Sequence, residues 1–362
     1  MRGIVKTPAN SLLVGELARG CELCMEGAKL VLFVTGMCDR RCYYCPLSEE
    51  RRWKDVVYAN ELLVKKEDDI IKEAKLMDAL GAGITGGDPL VRPRRTLRFI
   101  KLLKKTFGKE FHIHLYTSGT RVNLSLLRQL EKAGLDELRF HPAKPYWHVI
   151  SLATKTKITV GGEMPAIPGN EKQLMEFAKY LENVGAKFLN LNEFEFSETN
   201  AEQLKKRGFR LKEGSLAAVE GSEECAIEIL KWAAENSTIS VHYCPSRLKD
   251  AVQLRNRLLR RARNVAKPYD EISEDGLLIK GVIEPKRPTC TKLIRIRRIL
   301  IEEFDIPEEL VGIDFNKGRV ETAWCIVEEL ATEIKRLIPN IKIGIVEEYP
   351  TADRILISYN PL

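Results

Sequence analysis

From residue 28 onward, short apolar runs alternate with longer stretches of helical spacing. Residues 30–34 form a continuous apolar run of strand length, and residues 111–117 alternate as a strand does. Residues 137–140, 157–160, 188–194 and 238–243 have strand character, and a short strand at 83–85 runs into a loop. Between them, residues 67–80, 94–107, 124–133, 146–154 and 171–183 read as helices, two of them closed by Gly81 and Gly134. Strands alternating with helices predict a parallel sheet covered by helices, an α/β fold. After Cys244 the pattern changes. Residues 246–266 read as one long basic helix, 276–283 as a strand and 293–303 as a basic and apolar stretch. Residues 311–315, 322–337, 341–346 and 354–358 then read as strand, helix, strand, strand, a small α+β module. The expected organisation is a lead-in over 1–27, the α/β unit over 28–245, and a C-terminal part over 246–362.

A β/α barrel needs about 200–250 residues, which leaves roughly 100 of the 362 for something else. Hydrophobic residues make up 44% of the chain, enough for a large core. No run of about 18 apolar residues exists, so no membrane span is expected. The first ten residues have no apolar signal core, which points to the cytoplasm. Nine cysteines in such a chain point to metal rather than disulfides. Abundant Glu, Lys, Arg and Ile with few Gln lean toward a thermophile. The formal charge of +7 is uneven, because residues 245–300 carry 15 basic and 6 acidic side chains.

The densest chemistry lies in Thr35-Gly-Met-Cys-Asp-Arg-Arg-Cys-Tyr-Tyr-Cys-Pro46, directly after the first strand. Cys38, Cys42 and Cys45 are spaced Cys-x3-Cys-x2-Cys, with Tyr44 before the third. Three thiolates can hold three irons of a [4Fe–4S] cube and leave the fourth open to a ligand. A zinc knuckle is the plainer alternative, but structural zinc wants four closed ligands. Gly86-Gly87-Asp88-Pro89 ends the next strand, where glycines let the backbone approach a ligand and an acid suits an ammonium group. As a bare tetrapeptide it is an ordinary turn. Asn190-Leu-Asn-Glu-Phe-Glu195 puts polar groups on both faces of a predicted strand, so Asn190, Asn192, Glu193 and Glu195 include residues at the barrel mouth. His141 lies just past the strand at 137–140.

The cysteine motif resembles the signature of the radical S-adenosylmethionine (SAM) superfamily, over roughly residues 28–245. Nearest are archaeal-type proteins related to pyruvate-formate-lyase activating enzyme. The alternation and the resemblance together imply a partial (β/α)6 barrel, with a C-terminal basic helical segment and small α+β module. The resemblance implies a [4Fe–4S] cluster on Cys38, Cys42 and Cys45 that cleaves SAM reductively to methionine and a 5′-deoxyadenosyl radical. Such a site is oxygen-sensitive and implies an anaerobic setting, and an electron donor such as ferredoxin or flavodoxin. Gly86-Gly87-Asp88-Pro89 resembles the Gly-Gly-Glu-Pro motif that holds the SAM amino group, with Asp88 one methylene shorter. Tyr44 belongs to the cysteine motif, and Ser118 in Tyr116-Thr-Ser-Gly119 stands where relatives contact the SAM ribose or carboxylate. Val160-Gly-Gly-Glu-Met-Pro-Ala-Ile-Pro-Gly169 resembles a loop of glycyl-radical activases near SAM, with Glu163 its residue of interest. An ordinary rigid loop is the alternative there.

Cys21, Cys24, Cys244 and Cys290 are flanked by turn formers or paired at x2 spacing, and could form an auxiliary iron–sulfur cluster or zinc site. Cys225 and Cys325 lie in helical, apolar surroundings and read as core. The basic segment 247–298, with its arginines crowded together, suits phosphate backbones through counterion release. The leading substrate expectation is therefore RNA, most plausibly tRNA under modification. The alternatives are an activase or modifier of a protein or peptide, and a non-catalytic iron–sulfur or zinc module. Tyr269 is the one aromatic there for base stacking, which argues against tight single-strand reading.

Overall fold

Among the described residues, eleven strands form one sheet in the first of two units, Met1–Leu254. In chain order they are β1 (Val5–Lys6), β2 (Leu12–Val14), β3 (Lys29–Phe33), β4 (Tyr58–Ala59), β5 (Leu62–Leu63) and β6 (Gly81–Thr85). There follow β7 (His112–Thr117), β8 (Glu137–Phe140), β9 (Thr159–Ala166), β10 (Phe188–Glu193) and β11 (Ser240–Cys244). The structure, a computed structural model, describes residues 2–362. The strand order is β1-β2-β11-β10-β9-β8-β7-β6-β3-β4-β5, an open path, so the barrel is partial. From β11 to β3 every neighbouring pair is parallel.

The two faces of these strands differ sharply. Ile113, Leu115, Leu138, Phe140, Val160, Leu189, Leu191 and Val241 are buried in the main hydrophobic core. Helices Pro93–Phe107, Leu124–Ala133, Glu171–Asn183 and Ser222–Asn236 bring Phe99, Leu127, Phe177 and Ile229 into it. Each large aliphatic side chain so buried is worth about 1.5–3 kcal/mol. The alternate positions, facing inward, are His112, His114, Tyr116, Glu137, Arg139, Glu163, Asn190, Asn192 and His242. Helix Leu124–Ala133 shows how local signals set the frame: Asn123 accepts from Leu126 N at 2.9 Å to start it, and Gly134 ends it at φ 98°.

Several expectations are redrawn. The lead-in 1–27 is part of the first unit, since β2 adds antiparallel to β11 and α1 (Arg19–Met25) packs against β3, β6 and β7. The segment from Gly161 to Ala166, expected as a loop, lies within β9. Its glycines serve packing: a Cβ on Gly161 would fall 2.3 Å from the Phe188 ring, and one on Gly162 2.7 Å from Phe177. The long basic helix is present over 246–265 and carries a π-helical turn inside it. It runs as Ser246–Leu248, a π-helical turn Lys249–Leu254, and Arg255–Val265. The division between units falls between Leu254 and Arg255, not at 245.

The second unit, Arg255–Leu362, is the expected α+β module with more strands than anticipated. Its strands are β12 (Glu271–Ile272), β13 (Leu278–Pro285), β14 (Val311–Asp314), β15 (Arg319–Thr322), β16 (Ile341–Glu348) and β17 (Leu356–Pro361). They form an antiparallel sheet ordered β14-β15-β13-β16-β17, with β12 beside β13. Helices Cys290–Glu302 and Trp324–Leu337 supply Leu293, Ile296, Leu300, Val327 and Ile334 to its core. A buried ion network accompanies this core, with Lys280 Nζ 2.7 Å from Asp270 and Arg319 between Glu321 and Glu348. Among the described residues, no helix is long and apolar enough to cross a membrane.

Candidate active site

Loops at the C-terminal ends of the parallel strands, where barrel enzymes place their chemistry, enclose a cavity of about 570 Å³ in the first unit. Cys38, Cys42 and Cys45 all line it, as do Tyr44, Gly86, Gly87, Ser118, Glu163 and Asn192. The three cysteines are free and half-buried. Arg40 N donates to Cys38 Sγ at 3.3 Å, a contact of the kind that tunes a bound iron–sulfur group. Three unpaired sulfurs at one cavity wall are a donor set that fits a [4Fe–4S] cluster with one open iron.

The Gly86-Gly87-Asp88 segment is zipped to the cysteine loop. Gly87 N donates to Thr35 O at 2.7 Å, and Asp88 N to Met37 O at 2.8 Å. A Cβ on Gly87 would lie 2.4 Å from Met37 O, so glycine is required here by the approach of the cysteine loop itself.

Asp88 does not line the cavity. It is 0% exposed and accepts from Ser118 Oγ at 2.5 Å, Ser118 N at 2.9 Å, Thr117 Oγ1 at 3.1 Å and Leu90 N at 2.9 Å. The shorter acid thus pins the end of β7 to the Gly86-Gly87 loop. Asp88→Ala should leave the Ser118 and Leu90 amides unsatisfied and cost about 1–3 kcal/mol. Thermal melting of the variant beside Ser118→Ala separates this buttress from the single hydroxyl.

Of the other lining residues, Tyr44 and His141 were candidates from the sequence, while Arg52, Lys249 and Gln253 carried no signal for this site. Tyr44 Oη and His141 Nε2 share a hydrogen bond of 2.9 Å. Burial, helped by Arg40, pushes His141 down to about 4, so the imidazole is neutral at pH 7. Arg52 lines the cavity with a buried Nε that has no partner. Lys249 and Gln253 reach it from the π-helical turn, Lys249 paired with Glu195 at 2.6 Å. Only the fold brings these groups to Cys38.

Deeper in, Arg139 joins three inward carboxyl and phenol groups. Its Nε lies 2.5 Å from Glu137, and its Nη1 2.8 Å from Glu163 and 3.3 Å from Tyr116 Oη. Glu163 also accepts from Asn192 at 2.9 Å and Asn190 at 3.3 Å. Burial pushes the Glu163 carboxyl up, but Arg139 and the two amides outweigh it and hold it below its ordinary range.

Of the remaining cysteines, Cys24 lines the cavity while Cys21 sits behind it, accepting from Asn190 at 3.2 Å and Arg139 at 3.3 Å. Cys244 is buried, with Gln253 Nε2 at 3.8 Å. Cys290 is exposed and belongs to the second unit. Cys225 is buried in the core as expected, but Cys325 is exposed on a helix.

The inner histidines make a pH prediction. Burial lowers His112 to about 3 and His242 to about 4, and takes His114 well below its usual 6.5. The unfolded chain binds protons near 6.5 that the native chain refuses until far lower pH. Stability is therefore full above 6.5 and falls as pH drops toward 4. Urea unfolding at pH 7.5 and pH 5, followed by circular dichroism, should show the loss; equal midpoints would refute it.

An α/β partial barrel with a three-cysteine loop over its cavity defines an iron–sulfur enzyme of the barrel class. The radical SAM superfamily profile matches residues 32–149. A Methanocaldococcus jannaschii protein, named as a candidate glycyl-radical enzyme activating enzyme, is 42% identical over 362 residues, covering 96% of this chain and 93% of its own. The chain belongs to the radical SAM superfamily, whose members use a [4Fe–4S] cluster and SAM. A domain of unknown function (DUF8061) matches residues 276–362, within the second unit. The tungsten-containing aldehyde ferredoxin oxidoreductase cofactor-modifying protein of Pyrococcus furiosus is 26% identical over 181 residues, 43% of this chain and 48% of its own. SAM-bound SuiB of Streptococcus suis aligns over 62% of this chain and 53% of its own, with 11% identity and a TM-score of 0.45. The chain thus spans about half the length of these last two.

Proposed function

We infer that this radical SAM enzyme abstracts hydrogen from a segment of a protein or peptide. The observation that carries the radical chemistry is that Cys38, Cys42 and Cys45 share one cavity with Gly86, Gly87, Ser118, Glu163 and Asn192. When bound, the cluster supplies the electron that cleaves SAM to methionine and the 5′-deoxyadenosyl radical. The chain's own residues do the rest. Cys38, Cys42 and Cys45 would hold three irons. The Gly86-Gly87 backbone and the Ser118 hydroxyl line the place for the methionine end, and Arg52, whose Nε has no hydrogen-bond partner, offers a cation for its carboxylate. Tyr44 and Phe194, ring centroids 5.9 Å apart, wall the cavity with apolar surface that excludes water.

The choice of a protein segment over RNA is supported from two sides. The relative that covers nearly the whole chain bears an activating-enzyme name. The basic segment, in turn, spends much of its charge internally. Lys280 is wholly buried against Asp270, Arg261 donates to Pro350 O at 2.7 Å, and Arg297 binds Glu308 at 2.8 Å and Val311 O at 3.0 Å. Arg255 pairs with Asp275 at 3.4 Å, and Tyr269 is buried on Glu321 rather than free to stack. Cys21 belongs to the Arg139 network, so we assign no second metal to it.

The test is 5′-deoxyadenosine formation by anaerobically reconstituted enzyme with SAM and dithionite, supplemented with cell extract. Stimulation that protease destroys and nuclease spares is the expected result. Stimulation by unmodified tRNA, lost to nuclease, would overturn the protein reading and keep the radical chemistry.

A further inference from the structure

We propose that Asn200 is a positioning residue for the iron–sulfur group: it holds the backbone at Tyr44 and Cys45, and through it the sulfur of the third cysteine. This deepens the reading above and rests on it for the identity of the group held.

The chain between β10 and helix Ser222–Asn236 does not return directly. Residues 194–221 fold into a small excursion, closed by bridges from Glu195 to Ala218 and from Leu211 to Val219 and carrying the helix Ala201–Lys206. The excursion has an apolar cluster of its own, in which Phe194, Leu204 and Val219 are buried and Tyr43, Tyr44 and Phe209 pack against them. The two tyrosines of the cysteine motif therefore lean on this excursion and not on the main core. The Arg207 guanidinium lies over the Tyr43 ring, 4.3 Å from its centroid.

Asn200 stands at the cap position of Ala201–Lys206, where an asparagine side chain ordinarily accepts from the first helical amides. Here it makes no such bond. The residue is 1% exposed, and its side chain is turned to the cysteine loop instead. Nδ2 donates to Tyr44 O and to Glu195 O, each at 3.1 Å, while Oδ1 accepts from Ser197 N at 2.7 Å. Its neighbour acts alongside it, with Thr199 Oγ1 donating to Cys45 O at 3.2 Å. Two consecutive side chains thus grip two consecutive carbonyls of the loop that carries the thiols.

The grip matters because the other brace on this loop lies at its far end. The bonds from Gly87 N to Thr35 O and from Asp88 N to Met37 O fix the backbone just before Cys38. Cys42 and Cys45 come four and seven residues later, in a turn where Cys45 N donates to Cys42 O at 3.2 Å. A buried carbonyl deprived of its donor drives the backbone to find another partner, so without Asn200 and Thr199 this turn is free to shift. Asn200 also binds the backbone of Glu195, whose carboxylate pairs with Lys249 on the cavity wall. One side chain therefore fixes the third cysteine relative to that wall. Three sulfurs decide which way an open iron faces, so their placement decides whether it faces the cavity.

The test compares Asn200→Leu, which fills the space without donors, with Thr199→Val, which removes the hydroxyl, and Thr199→Ser, which restores it. Ser222→Ala controls for local stability: Ser222 is 0% exposed and ties Phe194 N and Ala166 O in the same region without touching the cysteine loop. The first readout uses metal-free protein under anaerobic iodoacetamide, with alkylation sited by mass spectrometry. Cys45 should react several-fold faster in Asn200→Leu and Thr199→Val, and at the wild-type rate in Thr199→Ser and Ser222→Ala, with Cys38 unchanged throughout. The second readout is electron paramagnetic resonance of the reconstituted, reduced cluster, whose g-values should move in the first two variants and not in the other two. With SAM and dithionite, 5′-deoxyadenosine formation by Asn200→Leu should fall about a hundredfold, the effect of a displacement of about 1 Å at a reacting site. Unchanged alkylation and g-values in Asn200→Leu and Thr199→Val overturn the proposal, as do changes that Ser222→Ala reproduces. Wild-type protein that takes up a cluster but forms no 5′-deoxyadenosine overturns the radical reading alone, because alkylation and the spectrum are read without SAM.

Discussion

Gly87→Ala is expected to cost the enzyme its cluster without touching a cluster ligand. The added Cβ would sit 2.4 Å from Met37 O and 2.7 Å from Gly36 O. Both are backbone atoms, so no side-chain rotation relieves the clash. The two loops are tied by the bonds from Gly87 N to Thr35 O and from Asp88 N to Met37 O, so one must pull away from the other. Cys38 follows Met37 directly and would move with it. Overpacking of this kind costs about 1–3 kcal/mol, and a displacement of about 1 Å at a reacting site costs about a hundredfold in rate. Iron per chain and the rate of 5′-deoxyadenosine formation should both fall, while Gly3→Ala, whose Cβ would meet nothing within 4 Å, should leave the iron in place. A Gly87→Ala protein with full iron would show that the cysteine loop is not braced from this side.

Arg139→Met should be the most destabilising single change in the first unit. The guanidinium is 2% exposed and serves Glu137 and Glu163 together. Methionine fills much of the space but leaves two buried carboxylates facing each other's field. Breaking a buried pair from one side costs roughly 3–5 kcal/mol. Without Arg139, burial at Glu163 is opposed only by the two amides and its carboxyl rises, so the variant should also regain stability as pH falls through the new value. Adding Glu163→Gln to Arg139→Met should recover part of the loss, which a double-mutant cycle by urea unfolding would measure. A loss under about 1 kcal/mol, the level of an exposed ion pair, would refute the assignment.

The alternation of strands and helices was legible because periodicity is local: each outer face needs apolar residues every second or every third and fourth position. The three-cysteine motif was legible for the same reason, since all three cysteines lie on one loop. The loop expected around Gly161 and Gly162 failed because glycines that read as a turn are here making room for Phe188 and Phe177. The long basic helix was legible over 246–265, but its π-helical turn at Lys249–Leu254 leaves no compositional mark. The reading of the basic segment as an RNA surface could not see that Lys280, Arg261 and Arg297 turn inward or bind their neighbours.

By itself the sequence determined the class of fold and the superfamily, with the cluster and SAM that its members use, because those depend on residues close together in the chain. The tertiary structure alone decided that Asp88 braces β7 instead of facing the cavity, and that Arg139 links Glu137 and Glu163. It alone set His141 against Tyr44 and opened Cys24 onto the space shared with Cys38. Apart from the Arg139–Glu137 pair, two positions apart, those relations join residues 14 to 97 positions apart, and they follow from the strand register and the placement of α1, which no local pattern encodes.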